Sequence, residues 1–182
     1  MKGVDLERLI FVDESSTNVA LSPRYARAPK GERARGKAPR NWGKNVTLIS
    51  SIGVEGMGAS MSIEGSSDTE SFSLYMREML APTLEAGQIV LMDNLSVHKS
   101  NWVRELIEER GCQLWLLPSY SPDFNPIEEA FSKVKNILRK AKARTLQALF
   151  EATAEALEAL SADDARGYFE HCGYRTPQDH SL

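Results

Sequence analysis

A chain of 182 residues, 42% hydrophobic and 26% charged, has the material for one sizeable core and reads as a single ordinary globular domain, 1–182. No apolar run approaches the roughly 20 residues that span a bilayer, and Met1-Lys2-Gly3-Val4-Asp5 lacks the build of a signal peptide, so no membrane partner is expected. Cys112 and Cys172 have no metal-type spacing and read as reduced thiols, which predicts a cytoplasmic protein. The net charge is only −3, yet the stretch from Arg24 to Lys44 holds eight basic residues against the single acid Glu32, a local +7 that leaves −10 elsewhere. Such a segment, with Arg33, Arg35, Lys37, Arg40 and Lys44 at its heart, is read as a phosphate-binding surface, with a solvated loop as the alternative.

In chain order, Arg8–Val12 is predicted as a strand and Glu14–Asn18 as a polar turn. Residues 23–39 are loop-like, broken by Pro23, Pro29, Gly31, Gly36 and Pro39. Val46–Gly53 and Gly58–Glu64 are two further strands joined through Glu55-Gly56-Met57-Gly58, in antiparallel pairing. A helix capped by Asp68 or Thr69 then carries Phe72, Tyr75, Met76, Met79 and Leu80 at helical spacing up to Pro82. Gln88–Met92 is the central strand. Ser100–Arg110 is an amphipathic helix facing inward with Trp102, Val103, Leu106 and Ile107, and Gly111 stops it.

Cys112–Leu117 is the last strand, ended by Pro118. A long helix runs from Pro126 to about Ala143, a second from Thr145 to about Leu160, and a shorter one lies near Ala162–Cys172. No repeat or internal boundary interrupts the chain. The order β-β-β-α-β-α-β-α predicts an α/β fold of the ribonuclease H-like kind, a mixed five-stranded sheet flanked by helices.

Three acids stand where acid needs a reason. Asp13 ends the run Leu9-Ile10-Phe11-Val12, Asp93 ends Ile89-Val90-Leu91-Met92, and Glu128 follows the helix start Asn125-Pro126-Ile127. Taken singly, the aspartates are turn formers and Glu128 is the third residue of a capping box closed by Asn125. Taken together, carboxylates gathered at one end of a sheet repel without cations between them, and hard divalent cations take oxygen ligands.

The segments Val12-Asp13-Glu14-Ser15, Leu91-Met92-Asp93-Asn94-Leu95-Ser96-Val97-His98 and Leu117-Pro118-Ser119-Tyr120-Ser121-Pro122-Asp123-Phe124-Asn125-Pro126-Ile127-Glu128 resemble the catalytic domain of DDE transposases. The branch they are most similar to is the bacterial insertion-sequence group allied to the mariner-like superfamily, down to the 34 residues between Asp93 and Glu128. The resemblance spans almost the whole chain. It implies that Asp13, Asp93 and Glu128 bind two Mg²⁺ (or Mn²⁺) ions, with Asp13 bridging, Asp93 on one ion and Glu128 on the other. It implies metal-dependent cleavage at transposon ends by water, then attack of the freed 3′-hydroxyl on target DNA, with no covalent protein intermediate.

Asn94, His98 and Asn125 are read as supports of the carboxylates, with a cap or surface role as the alternative for His98. Glu129 is the lesser candidate for third acid. Ser132, Lys135 and Arg139 follow Glu128 at offsets that share its helix face, and Lys135 and Arg139 are read as phosphate contacts. Trp42 is read either as a stacking platform for an extruded base or as packing. Double-stranded DNA is the implied partner, with a homodimer or a separate DNA-recognition subunit. A prokaryotic, nucleoid-associated location follows from the same resemblance. Family members carry helix-turn-helix modules before the catalytic domain, and these are expected to be absent here, as in an excised domain, a split reading frame or a degenerate remnant. A catalytically idle DNA-binding fragment and a structure-selective nuclease are the competing readings.

Overall fold

The computed structural model describes residues 5–23, 25, 27–33, 43–95, 98–119 and 121–175. Five strands, β1 (Leu9–Asn18), β2 (Asn45–Gly53), β3 (Gly56–Glu64), β4 (Ile89–Met92) and β5 (Gln113–Leu116), form one sheet in the order β3-β2-β1-β4-β5. The three N-terminal strands pair antiparallel, whereas β4 runs parallel to both β1 and β5. This mixed sheet with helices on both faces is the ribonuclease H-like arrangement expected from the element order.

Alternation along the strands divides the core in two. Leu9 and Phe11 of β1 share one face with Leu48, Ile52, Ile89 and Leu91, and pack against α3 (Pro126–Ala141), α4 (Leu146–Glu158) and α5 (Ala162–His171). Phe11 is wholly buried there and meets Phe169 and Tyr174 edge-on at 5.3 and 5.1 Å between ring centroids. Val12, Ile49, Val90, Met92 and Leu114 face the other way, onto α1 (Thr69–Leu74) and α2 (Asn101–Glu108).

Asp68 caps α1 in a capping box with Ser71, Thr145 caps α4 and Ser161 caps α5. The Lys133 ammonium, 2.5 Å from Asp164 Oδ2, ties α3 to α5. Among the described residues no helix is long and apolar enough to cross a membrane.

Three expectations need correction. Glu14–Asn18 is no turn: β1 continues to Asn18, paired residue for residue with β2 down to Asn18↔Asn45. Ser15 and Thr17 are buried and Ser16 Oγ lies 3.2 Å from Thr47 Oγ1, so hydroxyls fill strand positions that look like turn residues in sequence. The β2–β3 connection is tighter than expected. Gly53 pairs with Gly56, whose φ of 127° suits glycine, leaving Val54-Glu55 as the loop. The helix after Asp68 is regular only to Leu74. It widens into a π-helical stretch over Tyr75–Leu80 and closes with a 3₁₀ turn at Ala81–Thr83, within which Pro82 denies the helix a donor.

Candidate active site

The parallel register places the two aspartates side by side. The β1–β4 ladder ends at Val12↔Met92, so Asp13 and Asp93 are the next residue on each of two adjacent parallel strands. Clefts at such strand ends are where open α/β sheets bind ligands. The third acid arrives from the far side of β5. Beyond Leu116 the chain passes Pro118 and Ser119 and makes a 3₁₀ turn at Pro122–Phe124. It then enters α3 with Pro126 at the first helical position, so Glu128 lies in the first turn. Tyr174, donating its hydroxyl to the Phe124 carbonyl at 2.7 Å, pins that turn from below. Asp13, Asp93, Asn94, Ser119, Asn125 and Glu128 all line one cavity of about 320 Å³.

Each aspartate is held by its own partner. Asp13 is 8% exposed, and its Oδ2 accepts from Asn125 Nδ2 at 2.8 Å while Oδ1 takes the Glu14 N–H at 2.7 Å. Burial pushes its carboxyl up to about 7, and the like charges of Glu128, Asp93 and Glu14 add to this against the backbone hydrogen bond. Asp93 accepts from the Leu95 N–H at 3.1 Å and lies 2.6 Å from His98 Nδ1, both at Oδ1. Burial works to raise it, but the His98 hydrogen bond, the Leu95 N–H and the charges of His98 and Lys99 prevail and hold it below the ordinary carboxylate value. Asn94 Nδ2 donates to Ser119 Oγ at 2.8 Å, tying the end of β4 to the loop after β5.

His98 is not a surface histidine. It is fully buried, stacked near Phe72 with ring centroids 4.7 Å apart. Burial alone would lower its pKa, yet the contacts to Asp93 and Glu14 push it up to about 9, which favours the charged ring.

The capping-box alternative for Glu128 does not form. Asn125 stands at the N-cap of α3, but no side-chain hydrogen bond caps the helix, because its amide is committed to Asp13. The Asn125 N–H, which the Glu128 carboxylate would accept in a capping box, donates to the Pro122 carbonyl at 2.9 Å instead. Glu129 points elsewhere and pairs with His171 on α5.

Lys135 and Arg139 share the Glu128 face as their spacing predicts. With Ser132, Lys140 and Tyr25 they line a groove of about 660 Å³ that also reaches Glu128. Lys44 is not gathered there. It pairs with Glu64 beyond the start of β2, six residues from the Asp13 partner Ser50, or about 20 Å at roughly 3.3 Å per residue. Arg33 is exposed in the loop after β1, away from any regular element. Arg24, Arg35, Lys37, Arg40, Trp42 and Tyr120 lie outside the described residues.

The sequence reading passed over Glu14, whose carboxylate stands 3.5 Å from His98 Nε2. Its assignment to a turn hid the strand alternation that would have pointed to it.

Among the described residues no three His, Cys, Asp or Glu side chains stand close enough together to hold a metal ion. The donor chemistry nevertheless fits a hard divalent cation, since all three acids offer oxygen and Asp13 bears the repulsion that a cation relieves.

Comparison with known proteins gives a family and a fold. Residues 8–150 match the sequence family described as DDE superfamily endonuclease. No curated protein matches the chain. Among solved structures, a pre-cleavage Mos1 transpososome matches at 17% identity with a TM-score of 0.72, over 93% of this chain and 54% of that one. A mariner Mos1 paired end complex with Mg matches at 17% identity and a TM-score of 0.71, over 92% of this chain and 52% of that one. The catalytic domain of Mos1 mariner transposase matches at 15% identity and 0.63, over 93% and 79%. The likeness is one of fold, and the chain spans about half the length of the transposase chains in the two complexes.

Proposed function

The chain belongs to the DDE superfamily endonuclease family, and from that premise we propose that it is the catalytic domain of a cut-and-paste transposase of the bacterial insertion-sequence branch. Its substrate is double-stranded DNA, at transposon ends and at a target. Supporting this is one observation above the others: carboxylates from β1, the end of β4 and the first turn of α3 line a single cavity. Asp13, Asp93 and Glu128 are the residues that hold two Mg²⁺ or Mn²⁺ ions. The paired end complexes of Mos1 with Mg and with Mn support that choice of metal. When bound, the ions supply activation of the attacking oxygen and stabilisation of the leaving one.

The chain's own part is orientation. Asn125 steadies Asp13 and His98 steadies Asp93. Glu128, projecting from a helix whose apolar stripe is buried, lines the same cavity as the two aspartates. Lys135 and Arg139 take DNA phosphates along α3, and Arg33, Arg35, Lys37 and Arg40 do so from the basic segment.

The test is an assay with a radiolabelled pre-nicked transposon end and a supercoiled target in Mg²⁺. Strand-transfer products that disappear with Asp13→Asn and with Asp93→Asn are expected. Cleavage without joining would make the chain a nuclease of the same fold. Neither reaction, with DNA binding intact, would make it an idle fragment.

A further inference from the structure

One chain of polar contacts enters the cavity from the face of the sheet opposite α3. Because β1 alternates, Asp13 meets Asn125 on the α3 side while Glu14 turns toward the start of α1, where it shares a hollow with Ser67, Asp68 and Thr69. Glu14 Oε2 and His98 Nε2 face each other at 3.5 Å, and both atoms are sealed from solvent without a hydrogen bond. Buried polar atoms left in that state are rare and costly, and these two have each other as counterpart. His98 Nδ1, on the other edge of the ring, is 2.6 Å from Asp93 Oδ1, which also takes the Leu95 N–H. That oxygen is engaged twice, which leaves Oδ2 for the cavity that Asp93 lines. Phe72 packed on the imidazole keeps the ring from turning away.

We infer that Glu14 is a positioning residue which, acting through the buried His98, fixes the Asp93 carboxylate with Oδ1 turned inward and Oδ2 presented to a divalent cation. The inference rests on the reading of Asp93 as a metal ligand. Outer partners of this kind set ligand orientation, and losing one costs roughly 10–100-fold in metal affinity.

The test is calorimetric titration of the metal-free full chain with MnCl₂, without DNA, in wild type, Glu14→Gln, Glu14→Asp and Asp93→Asn, with metal-free melting temperatures alongside. Asp93→Asn is expected to lose measurable binding. Glu14→Gln should weaken Mn²⁺ binding roughly 10–100-fold while the metal-free chain still melts cooperatively. Glu14→Asp keeps the charge but withdraws it by one methylene, so it should also weaken binding, by less.

Wild-type Mn²⁺ affinity in Glu14→Asp would reduce Glu14 to a distant charge and overturn the inference. Wild-type affinity in Glu14→Gln would do the same while leaving the site assignment standing. Wild-type affinity in Asp93→Asn would overturn the site assignment itself. Should Glu14→Gln fail to fold, Glu14→Asp decides alone.

Discussion

Asp13 carries a heavy electrostatic burden, and its consequence for stability has a definite sign. The carboxyl rises from 3.8 in a free chain to about 7 when folded, through burial and then through Glu128, Asp93 and Glu14. Its contribution is therefore fully present below the unfolded value and is lost as pH rises through about 7, because the unfolded chain releases its proton first. At about 1.4 kcal/mol per pK unit the loss is at most on the order of 4 kcal/mol.

In EDTA, the wild-type melting temperature should fall across this window relative to Asp13→Asn, and saturating Mg²⁺ should reverse the deficit above pH 7. Parallel melting profiles for the two proteins would sink the assignment of the burden to Asp13. The comparison is cleanest below about pH 6.5. Above it His98, raised from 6.5 to about 9, begins a loss of its own that is common to both proteins.

At the scale of elements, α3 shows what periodicity can and cannot reveal. The stripe Ile127, Phe131, Val134 and Leu138 is buried as its spacing demands, and Glu128, Ser132, Lys135 and Arg139 share the adjoining face. The presence of β4 and β5 was readable too, since apolar runs of four residues and their polar breaks mark both strands. The second half of β1 was not readable. Glu14, Ser15, Ser16, Thr17 and Asn18 are turn formers by composition, and only pairing with β2 keeps them extended. Nor could local sequence decide whether Glu128 caps its own helix, because the Asn125 amide is drawn away by Asp13, 112 residues distant in the chain.

That outcome makes a prediction for the helix. Glu128→Gln should change metal-free stability by well under about 1 kcal/mol, since no cap is lost. It should abolish both the Mg²⁺-induced melting shift and DNA cleavage, because metal that does not bind the folded state cannot stabilise it. Glu129→Gln, which weakens the pairing with His171 and a long contact from the Cys172 thiol, should leave both intact. A wild-type melting shift in saturating Mg²⁺ for Glu128→Gln would exclude it as a ligand.

The whole molecule is polarised about its cavity. On the α3 side the adjoining groove carries, among the described residues, Lys135, Arg139 and Lys140 against one acid, Glu128. On the α1 side a hollow of about 480 Å³ carries Asp13, Glu14, Asp68 and Asp93 and, among the described residues, no basic one. A polyanion approaching an overall acidic chain, with its net charge of −3, is therefore steered to one flank of the carboxylates. The phosphates of a bound duplex should follow α3 and the basic segment, and leave the α1 side open.

Phosphate contacts release counterions, so each one lost lowers the steepness of log affinity against log salt by about 0.9. Lys135→Ala and Lys140→Ala should each lower the slope by about that amount, equally on any duplex sequence, and Arg33→Ala should do likewise. Asp68→Asn, on the opposite flank, should leave the slope unchanged. The measurement is fluorescence anisotropy of a labelled duplex in EDTA across a salt series. A slope that responds to Asp68 and ignores Lys135 would place the DNA on the wrong side of the cavity and overturn the path argued from charge.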